Sequence, residues 1–222
     1  MEEQEVNQLS GDIWASAQSL LELGGPVVAV LMVISVFGFA IALYKFFQFS
    51  SLSPGRFKAL HAALDEWAAK PADCLAQLEK SRLGLGDIMK FGLEHRDTPE
   101  TDELREELAR RATKFMQPYA GYMRPLELIY YLAPVLGLLG TVLGMIEAFR
   151  GLEASAGLDK DSTALAGGIW EALLTTAVGL SIAIPFTAVH AWLETRLDNA
   201  TAQVSDLLTR VMTINVGSKS AS

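Results

Sequence analysis

Apolar residues in this chain gather into three long runs separated by stretches rich in charge. Leu23 to Tyr44 is uncharged between Glu22 and Lys45, and Leu128 to Ile146 is uncharged between Glu127 and Glu147. The third run, residues 162 to 193, holds 32 residues whose only acid or strong base is Glu171. A helix crosses a bilayer in about 20 apolar residues, so each run is long enough to span. A soluble protein with buried helices is the alternative, but runs of this length are rare in one. The pattern predicts an all-α polytopic membrane protein with three transmembrane helices and a helical cytoplasmic domain.

Charges and turn residues set the expected boundaries. The spans are 23–49, 127–149 and 164–193, with a helical domain over 50–126, a loop over 150–163 and a tail over 194–222. Before them, residues 1–22 read as a short amphipathic helix (Ile13, Trp14, Ala17, Leu20, Leu21) lying along the outer membrane face. Gly24-Gly25-Pro26 predicts a break ahead of the first span, and Ser50 to Gly55 a polar turn that ends or bends its helix. Phe57, Leu60, Leu64, Trp67 and Ala68 then recur at helical spacing, and Pro71 restarts the chain. Thr98-Pro99-Glu100 has the form of a helix start, with a Thr cap, Pro at the first helical position and an acid in the first turn. Leu104, Leu108, Ala112, Phe115 and Met116 mark the apolar face of a helix expected to run on toward the second span, bent by Pro118 and Pro125. The domain reads as a small helical bundle beneath the membrane.

Charge adds an orientation. Residues 51–125 carry 12 of the 18 Lys and Arg, with Lys45, Arg56 and Lys58 near one membrane edge and Lys114 and Arg124 near the other. The connection 150–161 has only Arg150 and Lys160. The positive-inside rule then makes 51–125 cytoplasmic, the N-terminus periplasmic and the C-terminal tail cytoplasmic. Residues 1–25 hold no Lys or Arg, and Lys45-Phe46-Phe47 follows the first run, so that run reads as a retained helix and not as a cleaved signal peptide. The net charge of -8 argues against nucleic acid as a partner. Cys74, the single cysteine, reads as an ordinary reduced thiol. No phosphate-binding Gly loop, nucleophile motif or metal-ligand cluster is visible, and His61, His95 and His190 stand apart in sequence, so the chain reads as neither an enzyme nor a cofactor protein.

Chemistry centres on Glu171. An acid inside a span is disfavoured by roughly 2.5 to 3.5 kcal/mol on insertion scales, and such residues usually serve ion pathways or proton relays. A position near the membrane edge, with the carboxylate reaching the headgroups, is the other reading. In the second span Gly140, Gly144 and Ala148 repeat every four residues, as do Gly137 and Thr141, with Pro134 nearby. The third span has a matching small face of Gly168, Ala172, Thr175 or Thr176, Gly179 and Ala183. Small residues at this spacing let helices approach closely in lipid. Glu171 and Thr175 are four apart and share one side of the helix. Low dielectric favours the uncharged form of a carboxyl, which suits a group that takes up and releases protons. Thr141, Thr175 and Thr176 can hold that carboxyl or a short water chain, or can bond back to their own helices. Pro185 removes a backbone donor and either kinks its helix or serves packing. With one carboxylate in its membrane interior, the chain needs further copies or a second protein to pass a proton onward.

LAPVLGLLGTVLGMIEAF (132–149) followed by LAGGIWEALLTTAVGLSIAIP (165–185) resembles the paired-helix signature of the MotA/TolQ/ExbB proton-channel family, with the ExbB branch nearest. The motifs cover about 55 residues, and the three-span plan with a large loop after the first span extends the match along the chain. The resemblance implies that Glu171 is the acid lining the proton path, with Thr176 and Thr141 as its threonines. It also implies a ring of subunits, pentameric in the family, in a bacterial inner membrane. An ExbD-like or TolR-like single-span partner would bring an Asp, and a TonB-like protein would be energised by the proton-motive force. A TolQ-like subunit or a non-conducting scaffold are the alternatives; a MotA-like stator would have four spans, and a substrate transporter would show inverted repeats. One departure is Trp170, bulky where many relatives carry Ala. The expected proton path is Glu171, Thr141, Thr176 and Thr175, and the expected pore-lining and packing set is Gly137, Gly140, Gly144, Gly168, Ala172 and Gly179 with Pro134 and Pro185.

Overall fold

The computed structural model describes residues 2–50, 52, 54–81, 84–95, 101–154 and 161–214, with side chains described from Gly25 onward except at 54, 154 and 161–164. Seven helices run in order: α1 (Glu2–Ser50), α2 (Pro54–Asp65), α3 (Pro71–Glu79), α4 (Leu85–His95), α5 (Thr101–Ala120), α6 (Met123–Ala154) and α7 (Asp161–Thr213). No strand occurs among the described residues. The fold is all-α. Three helical stretches, 25–65, 101–153 and 165–213, each hold a segment long and apolar enough to cross a membrane.

The chain divides into two compact units, one of Met1–Ala42 with Arg124–His190, the other of Leu43–Met123 with Ala191–Ser222. In the first, α1 is broken at Gly25, where φ is 59° and ψ is -164°. Pro26 follows the break and opens the helical run that continues to Ser50. Its fixed φ suits a first helical position, where a missing N–H costs nothing. The unit's small core joins Leu31, Ala133 and Ala183, flanked by Val27, Leu136, Val178 and Ile182. Much of the rest of its surface is apolar and exposed, including Val36, Phe37, Leu138, Leu173 and Ile184. Lipid is as apolar as these side chains, so close fit and not water exclusion must hold such helices together.

The second unit is packed like a soluble bundle. Leu60 and Leu64 of α2, Leu78 of α3, Leu85 and Met89 of α4, Leu108 of α5 and Leu207 and Val211 of α7 are buried. Full burial of such a side chain contributes about 1.5 to 3 kcal/mol. Phe57, Leu104 and Met116 join them, whereas Trp67 lies beyond the end of α2, only partly buried. Gly92 is needed for the fit, because a β-carbon there would stand 2.7 Å from Val211 Cγ1. Cys74 is free and buried, and burial together with the Glu66 charge pushes its thiol pKa up, which keeps it inert.

Three local expectations need correction or placement. The helix expected to bend through Pro118 and Pro125 stops instead at Ala120, and the chain turns at Gly121 and Tyr122 (φ 63°) before α6 begins. Pro118 is accommodated inside α5, and Pro125 falls in the first turn of α6, where it is tolerated. Helix α7 continues past the apolar run to Thr213, so the part of 194–222 among the described residues is helical. The expected cap at Thr98-Pro99-Glu100 lies outside the described residues, as do the side chains of 1–22.

The α5 terminus is held by a long-range partner. Lys45 of α1 is fully buried (0% exposed). Its ammonium donates to Tyr119 O at 2.8 Å, Gln48 Oε1 at 2.9 Å and Pro118 O at 3.2 Å. Three acceptors match the three N–H donors of an ammonium. Since α5 has no basic residue in its own last turn, Lys45 supplies the cation that its carbonyl end favours. His61, apart from other polar groups in sequence, is also gathered in by the fold. Arg210 Nη1 donates to its Nδ1 at 2.8 Å, so Nε2 carries the proton toward Gln203 Oε1 at 3.0 Å.

Candidate functional site

The small faces of α6 and α7 meet each other in antiparallel register. A β-carbon added at Gly179 would lie 2.5 Å from Ala133 O, and one at Gly137 would lie 3.0 Å from Thr175 O. Farther along, a β-carbon at Gly140 would stand 2.5 Å from Thr175 Oγ1, at Gly144 3.0 Å from Ala172 Cβ, and at Gly168 2.5 Å from Ala148 Cβ. Each step of four residues up α6 meets a step of about four down α7. Hydrogen takes the place of a side chain at every close point, which brings the two backbones into direct contact. Pro134 and Pro185 sit inside α6 and α7, and both helices continue through them.

The threonines divide between this seam and a separate groove. Buried Thr175 donates to Ala172 O of its own helix at 2.7 Å and lies 3.2 Å from Gly137 O across the seam. Thr176 donates to the same Gly137 carbonyl at 3.1 Å. Thr141 bonds back to Leu138 O at 2.7 Å. It also lines an open groove of about 500 Å³ along α6, with Met145, Phe149, Arg150 and Glu153. So the hydroxyls serve the helices' own carbonyls, and none donates to Glu171 among the described residues.

Glu171 points elsewhere. It is partly buried, next to Ala172 and one turn from Thr175 of the seam, and its carboxyl turns toward α1. A β-carbon built on Gly25 would lie 2.8 Å from Glu171 Oε1 and 4.0 Å from Cδ. The acid therefore abuts the broken backbone of α1. Among the described residues no ion pair involves it. Trp170 is 62% exposed, away from the seam. No group of His, Cys, Asp and Glu able to hold a metal ion occurs among the described residues.

Sequence reading located Glu171 and both small faces but treated Gly24-Gly25-Pro26 only as a boundary. Its one usable signal was Gly before Pro at the head of a span, a pairing that suits an irregular backbone at membrane depth. Such backbone persists only where protein or a cavity covers it.

Three long apolar stretches, two of them close-packed along a seam of small residues, give the chain the form of a polytopic helical membrane protein. Residues 80–206, more than half of the chain, match the model of the MotA/TolQ/ExbB proton channel family, and the chain belongs to that family. It is 26% identical over 192 residues to a protein named as an ExbB homolog in Methanothermobacter thermautotrophicus, covering 85% of this chain and 66% of the relative. It is 43% identical over 89 residues to the biopolymer transport protein exbB1 of Vibrio cholerae, covering 40% of this chain and 39% of that one. An ExbB-like protein of Synechocystis is 34% identical over 164 residues, covering 72% of this chain and 64% of the relative. The chain thus spans from 39% to 66% of the length of these relatives.

Proposed function

We propose that this protein is an ExbB-like subunit of a proton-driven complex in a bacterial inner membrane, with Glu171 as its proton-carrying group. The observation that carries this reading is an acid beside the α6–α7 seam, inside the region that matches the family, with no ion-pair partner among the described residues. Several copies, a pentamer by family resemblance, surround an ExbD-like single-span partner that contributes a second acid. Residues 50–126 and the end of α7 face the cytoplasm, and the N-terminus faces the periplasm. The ring energises a TonB-like protein for transport across the outer membrane. The relatives' names favour this branch over the TolQ-like one.

Protonation of Glu171 or of the partner's acid removes a charge from an apolar setting and lets the central helices shift within the ring. Moving one charge through 100 mV releases about 2.3 kcal/mol, before any pH gradient is added. Thr141, on the groove side of α6, and Thr176, beside the acid's own turn, supply hydroxyls along the route. The test is proton uptake into liposomes holding this protein and its single-span partner. Glu171→Gln abolishes uptake while the complex still assembles; uptake at the wild-type rate in that variant refutes the reading and leaves a scaffold.

A further inference from the structure

The contact between Glu171 and Gly25 joins two elements that the family match does not join, since that match begins at residue 80. Gly25 is required here on two separate grounds. Its φ of 59° with ψ of -164° belongs to a region that is essentially closed to residues with a side chain. In addition, the space a β-carbon would fill is taken by Glu171 Oε1, 2.8 Å away. The first ground concerns only the backbone of α1. The second concerns the acid.

We propose that Gly25 is a positioning residue for Glu171: the break in α1 forms a recess without side chains that receives the carboxyl and shelters it. Pro26 follows directly, so the backbone leaving the recess offers no N–H at that residue. The recess thereby holds the carboxyl by shape. Gly167 is the natural control. It lies four residues before Glu171 on α7, and a β-carbon there would meet nothing within 4 Å.

The inference rests on Glu171 being the proton carrier, but its test does not use proton flow. Dicyclohexylcarbodiimide adds the O–H of a protonated carboxyl across its C=N bond and rearranges to a stable acylurea, with nothing lost. Labelling of Glu171 in the purified full-length protein is followed by peptide mass spectrometry. Gly25→Ala displaces the carboxyl from its recess, and the labelling rate at Glu171 rises at least threefold, whereas Gly167→Ala leaves it unchanged. Glu171→Asp withdraws the carboxyl by one methylene, so in that background labelling no longer depends on residue 25. An unchanged or lower rate in Gly25→Ala overturns the proposal. Should Gly25→Ala fail to assemble, the pair Gly25→Ala/Glu171→Asp decides. Restored assembly shows that the carboxyl was the obstacle, and continued failure assigns the whole effect to the backbone and removes the proposal. Uptake that survives Glu171→Gln, with labelling still sensitive to residue 25, would sink the proton-carrier reading and leave the recess standing.

Discussion

Lys45 and Glu171 each put an ionisable group on a long apolar helix, and the protein treats them in opposite ways. Lys45 is fully buried and spends all three donors on Gln48, Pro118 and Tyr119. Glu171 is only partly buried, and it rests against the bare backbone of Gly25. A buried charge with every donor matched is a structural bond, since it closes the carbonyl end of α5 that would otherwise be costly to bury. Glu171 makes no ion pair among the described residues, so its place on the helix owes nothing to such a bond and suits the proton-carrying role proposed for it. The difference separates a residue that stabilises from one proposed to act.

The sharpest way to break this contrast is to remove each charge while keeping its shape. Glu171→Gln should lower proton uptake by at least a hundredfold in liposomes while shifting unfolding stability by less than about 0.5 kcal/mol, as expected where no bond is lost. A large loss of stability in detergent would mean that Glu171 is structural after all. Next in size, Gly179→Val should cost about 3 kcal/mol, because the new side chain meets Ala133 O and backbone must move. Thermal unfolding of the purified protein measures it, and a midpoint equal to wild type would show that the α6–α7 seam is loose. Lys45→Met should cost about 2 kcal/mol by removing the ammonium donor from Tyr119 O and from Pro118 O, which keeps Gln48 Nε2. Uptake per folded complex should stay within twofold of wild type, and a selective loss of uptake would move Lys45 to the acting side.

The smallest effect belongs to the exposed pairs. Glu107 bonds Arg110 and Arg111, which hold its carboxyl pKa down at about 2 from 4.5. A lowered folded pKa gives stability that is present above the unfolded pKa and fades as pH falls from about 4.5 toward about 2. Glu107 is partly exposed, at 30%, and both arginines reach solvent, so water screens these pairs and Glu107→Gln should leave the unfolding midpoint at pH 7 unchanged within error. A clear drop would mark a network that the isolated pairs do not reveal.

The three spans and the α6–α7 seam were legible because their information is local. An apolar run declares a span by its length, and Gly137, Gly140, Gly144, Gly168 and Gly179 declare close approach by their spacing. What stayed hidden depends on distant partners. Nothing near Lys45 in sequence announces that its acceptors lie more than seventy residues on, at Pro118 and Tyr119. Equally, Gly25 and Glu171 are joined only through the packing of two helices whose sequences give no register for each other. Pro118 and Pro125 drew attention as bends, yet the chain turns between them, at Gly121 and Tyr122. Glycine at the turn was the better guide, with the Lys45 cap marking where α5 is allowed to end.

The seam between α6 and α7 also limits how a proton-driven complex of the proposed kind can move. Sliding one helix along the other by about 1.5 Å, the rise of one residue, would take the glycines out of register with the backbone they meet. It would also pull both threonine hydroxyls away from Gly137 O. The pair thus behaves as a splint. Any stroke must be delivered at its outer faces, through side chains such as Trp170, Leu173 and Leu138, with no slack taken up inside.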